Sequence, residues 1–150
     1  MPRAHTNYTG GTLMDRMLKV TILMLLAALA LTACTSAPLK PAAPIAVPPG
    51  ISQAQVKTSI INALEGRGWT LDKVADGDVL STLHLREHTA TIHITYDATT
   101  VRLAYVRSTN LDYRENGSKR NIHRNYNSWI DYLEQDIRRN LQNTNALKNQ

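Results

Sequence analysis

The chain has 150 residues, 17 basic and 12 acidic side chains, a net charge of +5 and a single cysteine. That length holds one modest domain rather than two, and a lone cysteine excludes a disulfide framework. The charge is mild and interspersed, which argues against a nucleic-acid partner.

The first organised stretch runs from Met14 to Cys34, MDRMLKVTILMLLAALALTAC. Arg16 and Lys19 form a short basic lead, Val20 to Ala33 carries no charge, and the run closes on Leu31-Thr32-Ala33-Cys34. This is the layout of a secretory signal peptide: a positive lead, an apolar core and small residues at a cleavage site. The run falls short of the ~20 apolar residues of a membrane-spanning helix. It is apolar all round, unlike the amphipathic helix of a soluble core. The closing four residues resemble the bacterial lipobox, in which a thiol takes diacylglycerol and cleavage leaves the lipidated cysteine first. Small side chains admit the peptidase, and only a thiol is nucleophilic enough to take the lipid. Cys34 is therefore the expected lipid-attachment residue, bearing diacylglycerol and an N-acyl chain, and no other cofactor is expected. Residues 1–33 read as the signal peptide. Met1 to Leu13 fits no part of that design, so translation is expected to begin at Met14 or Met17. Without Arg3, Asp15, Arg16 and Lys19 the remaining chain has 14 basic and 11 acidic residues, a net +3.

Residues 34–50 read as the lipidated cysteine and a Pro/Ala-rich tether. Prolines at 38, 41, 44, 48 and 49 argue against helix and sheet alike, leaving a polyproline-like spacer of ~3 Å per residue. Thr35 stands where enteric lipoproteins retained in the inner membrane have Asp. By that resemblance the protein is expected at the outer membrane, lipid-anchored, with its domain in the periplasm.

Residues 51–143 read as one α+β domain. Ser52-x-x-Gln55 is a capping box, flanked by Ile51 and Val56 as a hydrophobic staple. Val56, Ile60, Ala63 and Leu64 repeat at helical spacing until Gly66 and Gly68 stop the helix. From Trp69 the period changes to two, giving four antiparallel strands at about 69–75, 79–86, 90–96 and 101–107. Pairing Tyr96 with Val101 sets Ile94 opposite Leu103 on one apolar face, and the parity of the first strand needs a bulge near Lys73. Residues 108–121 read as a polar loop with an Asn116-Gly117 turn. A second helix is expected over about 122–142, with Ile122, Tyr126, Trp129, Ile130, Leu133, Ile137 and Leu141 in one stripe. Residues 144–150 read as a frayed tail. The economical fold is a two-layer αββββα sandwich, a four-stranded antiparallel sheet with both helices on its apolar face.

The chemistry-bearing residues are few. No phosphate-cradling glycine loop, H-E-x-x-H or G-x-S-x-G occurs, and the expectation is a protein that is not an enzyme. His84 and His93 are the only metal candidates: both fall on the polar sheet face of adjacent strands, opposite or diagonal to one another, with His88 in the turn between them. Exposed histidines are more often idle than ligating, so the expected metal site is none. Asn110, Tyr113, His123 and Asn127 form a possible interaction patch at the sheet edge. The competing assignment has Asn110 and Asn121 hold a turn and a helix start and His123 tie down the helix entry, with Tyr126 and Trp129 in the core.

Arg67-Gly68-Trp69, His88-Thr89-Ala90, Asn110-Leu111 and Ile122-His123-x-x-Tyr126-Asn127-x-Trp129 together resemble a family of small proteobacterial lipoproteins, over roughly Ser52 to Leu141. The resemblance implies an envelope lipoprotein and supplies no catalytic residues. The expected function is a non-enzymatic outer-membrane lipoprotein with a structural or protein-interaction role, attached to the membrane by lipid and binding another envelope protein. The alternatives are a small-ligand or metal-binding module on the His84/His93 face and, last, an envelope hydrolase.

Overall fold

The computed structural model describes residues 15–21, 35–41 and 43–148. The chain divides into two compact units, Met1–Cys34 and Thr35–Gln150. In the first, residues 15–21 are helical (α1), with Lys19 paired to Asp15 one turn away at 2.6 Å. No helix among the described residues is long and apolar enough to cross a membrane. Residues 22–34, which hold most of the expected signal-peptide core and Cys34, lie outside the described residues.

In the second unit the order is β1 (Ser36–Pro38), β2 (Ile45–Ala46), α2 (Gln53–Gly66), β3 (Trp69–Ala75), β4 (Asp78–Leu85), β5 (His88–Tyr96), β6 (Thr100–Thr109), β7 (Arg114–Asn116), β8 (Lys119–His123) and α3 (Arg124–Lys148). The capping box forms as its sequence dictates. Gln55 N–H donates to Ser52 Oγ at 3.3 Å, and Ser52 N–H donates to Gln55 Oε1 at 2.9 Å. Ile51 and the stripe Val56, Ile60, Ala63 and Leu64 are all buried.

The central meander also follows its pattern. Tyr96 pairs with Val101 and Ile94 with Leu103, and the register of β3 on β4 shifts between Leu71 and Lys73. A second shift, at Thr91 and Ile92 against Arg107 and Tyr105, leaves Val106 as the extra residue and turns it to solvent. Val79, Leu83, Ala90, Ile92, Ile94, Val101 and Leu103 share one face of this sheet, as the two-residue period requires, and all are buried. They join the stripes of α2 and α3 in a single core. The helices run antiparallel: Arg67, just past the end of α2, pairs with Asp136, while Ser59 near its middle meets Thr144 and Asn140.

The α+β class stands, but the four-stranded αββββα plan does not describe the molecule. One sheet has five strands, in the order β2-β6-β5-β4-β3, and a second has three, β1-β8-β7. Two of the four added strands come from the segment expected to be a tether. Ser36, Ala37 and Pro38 pair with His123, Ile122 and Asn121, and Ile45 and Ala46 pair with Val101 and Thr100. Leu39, Ile45 and Val47 are buried in the core. The folded unit thus begins at Thr35, not at residue 51. Proline permits this because β1 and β2 are each the outer strand of their sheet, where a missing N–H forfeits no ladder bond.

Two further expectations give way at the other end. Residues 108–121 are not a simple loop, because Arg114–Asn116 and Lys119–His123 form a hairpin around Gly117 (φ +60°). Ile122 consequently belongs to β8, and α3 starts at Arg124 and continues to Lys148 rather than fraying after Asn143.

Ile45 is wholly buried on the segment read as a tether. Ile45→Ala is expected to lower unfolding stability by ~2–4 kcal/mol, as for other buried aliphatic truncations; a freely hanging spacer would give no change in urea denaturation. Hydrogen bonding to Arg67, aided by the nearby Arg139, holds the Asp136 carboxyl below its usual pKa despite its burial. A depressed carboxylate stabilises the fold above its unfolded pKa of about 3.9, and that stabilisation is lost as pH falls through the lower folded value. The stability gap between wild type and Asp136→Asn should therefore close as the pH is lowered below about 4, read from urea midpoints at stepped pH.

Candidate functional site

The crossing of residues 35–41 over the start of α3 is held by both backbone and side-chain hydrogen bonds. Thr35 C=O accepts from Arg124 N–H at 2.8 Å, and Leu39 N–H donates to Arg120 C=O at 2.8 Å. Asn127 then grips the strap with both ends of its amide. Its Nδ2 donates to Pro38 C=O at 2.8 Å, and its Oδ1 accepts from Lys40 N–H at 3.0 Å. The Lys40 ammonium bonds Asp131 and the buried Glu134. Burial works against the Lys40 charge, but hydrogen bonds to the two carboxylates hold its pKa above the ordinary lysine value. Farther on, Val47 N–H donates to Thr99 C=O at 2.9 Å. The Asp97 carboxylate caps that turn by accepting from the Thr99 hydroxyl and the Thr99 and Thr100 amides, which lowers its pKa.

The four patch residues each bond a different partner. Asn110 sits at φ +57°, a conformation Asn tolerates, and donates from Nδ2 to Glu87 C=O at 2.7 Å. His88 Nδ1 lies 2.7 Å from Asn110 C=O. A carbonyl only accepts, so that nitrogen carries the hydrogen, and the turn histidine is held in place. Tyr113 stacks on Tyr105, with centroids 4.6 Å apart, and Tyr126 meets Tyr105 edge-on at 5.5 Å. Burial and the hydrogen bond from its hydroxyl to Glu115 raise the Tyr113 pKa. His123 accepts from Asn125 N–H through Nδ1 at 3.2 Å, which makes it the N-cap of α3. Asn127 is the strap clamp. Asn110, His123 and Asn127 thus each satisfy backbone groups, and Tyr113 is half-buried against the core.

His84 and His93 share the polar sheet face, but they are neither opposite nor diagonal. His84 pairs with Thr89 and His93 with Leu80, four residues apart along the ladder, or ~13 Å. The tight turn at Arg86 and Glu87 pairs Leu85 with His88 and so fixes this offset. His93 bonds Asp78 instead. Beside them Asp72 accepts from the Thr82 hydroxyl, which also bonds Thr91 at 2.9 Å.

Charge pairing divides the surface. Lys40, Lys57, Arg67, Arg138 and Arg139 each bond a carboxylate. No family model, curated protein or solved structure matches this chain.

Asn127→Ala leaves the Pro38 carbonyl and the Lys40 amide without their partners. The expected loss is ~1–3 kcal/mol, together with faster hydrogen exchange at the Lys40 amide and little change at Ile92 in the sheet centre.

Proposed function

We propose that the protein is a non-enzymatic lipoprotein of the bacterial envelope, acylated at Cys34 and held at the outer membrane with its domain in the periplasm. The sequence Leu31-Thr32-Ala33-Cys34 after an apolar run supplies the anchor chemistry. Diacylglycerol plus an N-acyl chain makes attachment stable where one chain alone would be marginal. The observation that carries this reading is at Thr35. The residue directly after the cysteine is already hydrogen-bonded to Arg124, and β1 begins at Ser36. Cleavage before Cys34 would therefore fall outside the folded unit, which spans Thr35–Gln150. It would also hold the domain close to the bilayer rather than on a long spacer.

Asn110, His123 and Asn127 of the expected patch, with His88, are engaged in holding backbone. His88 and Asn110 join the turn after β4 to the end of β6, and His123 and Asn127 fix the start of α3 and the strap. That use supports an assembly role, in which the domain positions or binds another envelope protein. The resemblance to small proteobacterial lipoproteins points the same way.

Intact mass and membrane fractionation of wild type beside Cys34→Ala test the anchor. The expected result is acyl mass and outer-membrane location in the wild type, both lost on substitution. Unchanged mass and location would mean that Cys34 is not the anchor. Crosslinking in cells should then capture an envelope protein equally well from wild type and His84→Ala.

A further inference from the structure

We propose that the outward face of the small sheet β1-β8-β7 is a docking surface for the anionic phosphate headgroups of a lipid bilayer. The inference rests on the anchor reading for its biological setting, but its physical basis is the sheet itself. Ladder partners share a side of a sheet and neighbours along a strand alternate. The pairs Ser36 with His123, Pro38 with Asn121, Arg114 with Asn121 and Asn116 with Lys119 therefore define one face. Ile122, buried, and its partner Ala37 define the other, so the first face looks away from the core.

That outward face has cations and no acid. Arg114 and Lys119 lie on it, both exposed, while Glu115 and its partner Arg120 alternate to the other side. Glu115 is further engaged by the Tyr113 hydroxyl at 2.9 Å. Among the described residues Arg114, Lys119, Arg120 and Arg124 have no carboxylate partner, in contrast to the paired cations of the strap and helices. At one end of the sheet a recess of about 390 Å³ is lined by Pro38, Leu39, Ser118, Lys119, Arg120 and Asn121. Lys119, the Ser118 hydroxyl and the Asn121 amide around this recess suit the oxygens of a phosphodiester, and Arg120 borders it from the other side of the sheet.

Position adds to charge. β1 is the first strand of the folded unit, so this sheet is the part of the domain next in the chain to Cys34. The polar face of the large sheet also carries cations without a carboxylate partner among the described residues, Lys73, Arg102 and Arg107, but they share that face with Asp72 and Asp78. The small sheet is the more uniformly cationic of the two.

The test uses the unacylated unit from Thr35 onward, which carries the entire described core. Co-sedimentation is measured with vesicles of phosphatidylcholine alone and of phosphatidylcholine containing phosphatidylglycerol. The wild type is expected to bind only the anionic vesicles, less strongly as salt rises. Arg114→Ala/Lys119→Ala should weaken that binding roughly 30-fold, since each basic residue near an anionic surface contributes about a fivefold gain. Both side chains are exposed and unpaired, so the unfolding midpoint should not move.

Failure of the wild type to bind anionic vesicles would overturn the proposal. So would a double variant that binds normally, or loss of binding in Arg102→Ala/Arg107→Ala instead. Displacement from vesicles by inorganic phosphate at matched ionic strength would reassign the recess to a free anion and overturn it too. The anchor is read separately from the mass at Cys34. An unacylated Cys34 with intact vesicle binding defeats the anchor alone, whereas an acylated Cys34 without vesicle binding defeats the docking surface alone.

Discussion

The grip of Asn127 on the backbone of Pro38 and Lys40 is the contact on which the arrangement of this domain turns. One carboxamide supplies the donor and the acceptor that a neighbouring strand would have supplied, at 2.8 and 3.0 Å. By doing so it lets a proline-bearing segment leave one sheet, cross the start of α3 and join another. Proline removes the N–H of Pro38 and Pro44 from any ladder, so the strap cannot hold itself down by regular pairing alone. The Lys40 ammonium, reaching the buried Glu134, fastens the same crossing electrostatically. A buried carboxylate is costly unless paired, so the strap and the helix each depend on the other.

This dependence explains how a small unit with little aromatic mass closes its core. The stripes of α2 and α3 and the inner face of the meander leave two borders uncovered. Ile45 closes the border beside Val101, and Leu39 and Val47 close the region beneath the strap. Sheet edges are open hydrogen-bonding templates. Strands with prolines in or beside them are suitable covers, because they offer few free amides to a further chain. The segment therefore completes the core and makes the edges it covers less adhesive.

Much of this was legible in the sequence where the signal was local. The Ser52 capping box, the stripe of α2, the Tyr96–Val101 register and the bulge beside Lys73 each follow from residues a few positions apart, and each is present. What escaped was non-local. The rule that proline is incompatible with sheet holds for interior strands, and no local pattern in Ser36–Ala46 reveals that both partners are edges lying far along the chain. Residues 114–123 alternate poorly because the small sheet buries only one side around Ile122, so a hairpin read as a polar loop. The His84–His93 pairing failed on the length of one turn: a two-residue connection at Arg86-Glu87 places Leu85 opposite His88 and sets the histidines four residues apart. Asn127 was singled out for its position in a polar cluster, and its role as a clamp on residues nearly ninety positions earlier had no sequence signature.

The long reach of β1 also governs when the molecule can finish folding. Ser36 finds its ladder partner at His123, and Lys40 finds its carboxylate at Glu134. Contacts of such sequence separation form slowly, since the intervening chain must be ordered first. A chain made from its amino end delivers the closing strand first and the surface that receives it last. Until that surface emerges, the strap has nothing to pair with and the domain has no lid on its core. The topology thus delays completion until nearly the whole polypeptide is available, keeping the chain pliable until the last helix arrives and compacting it then.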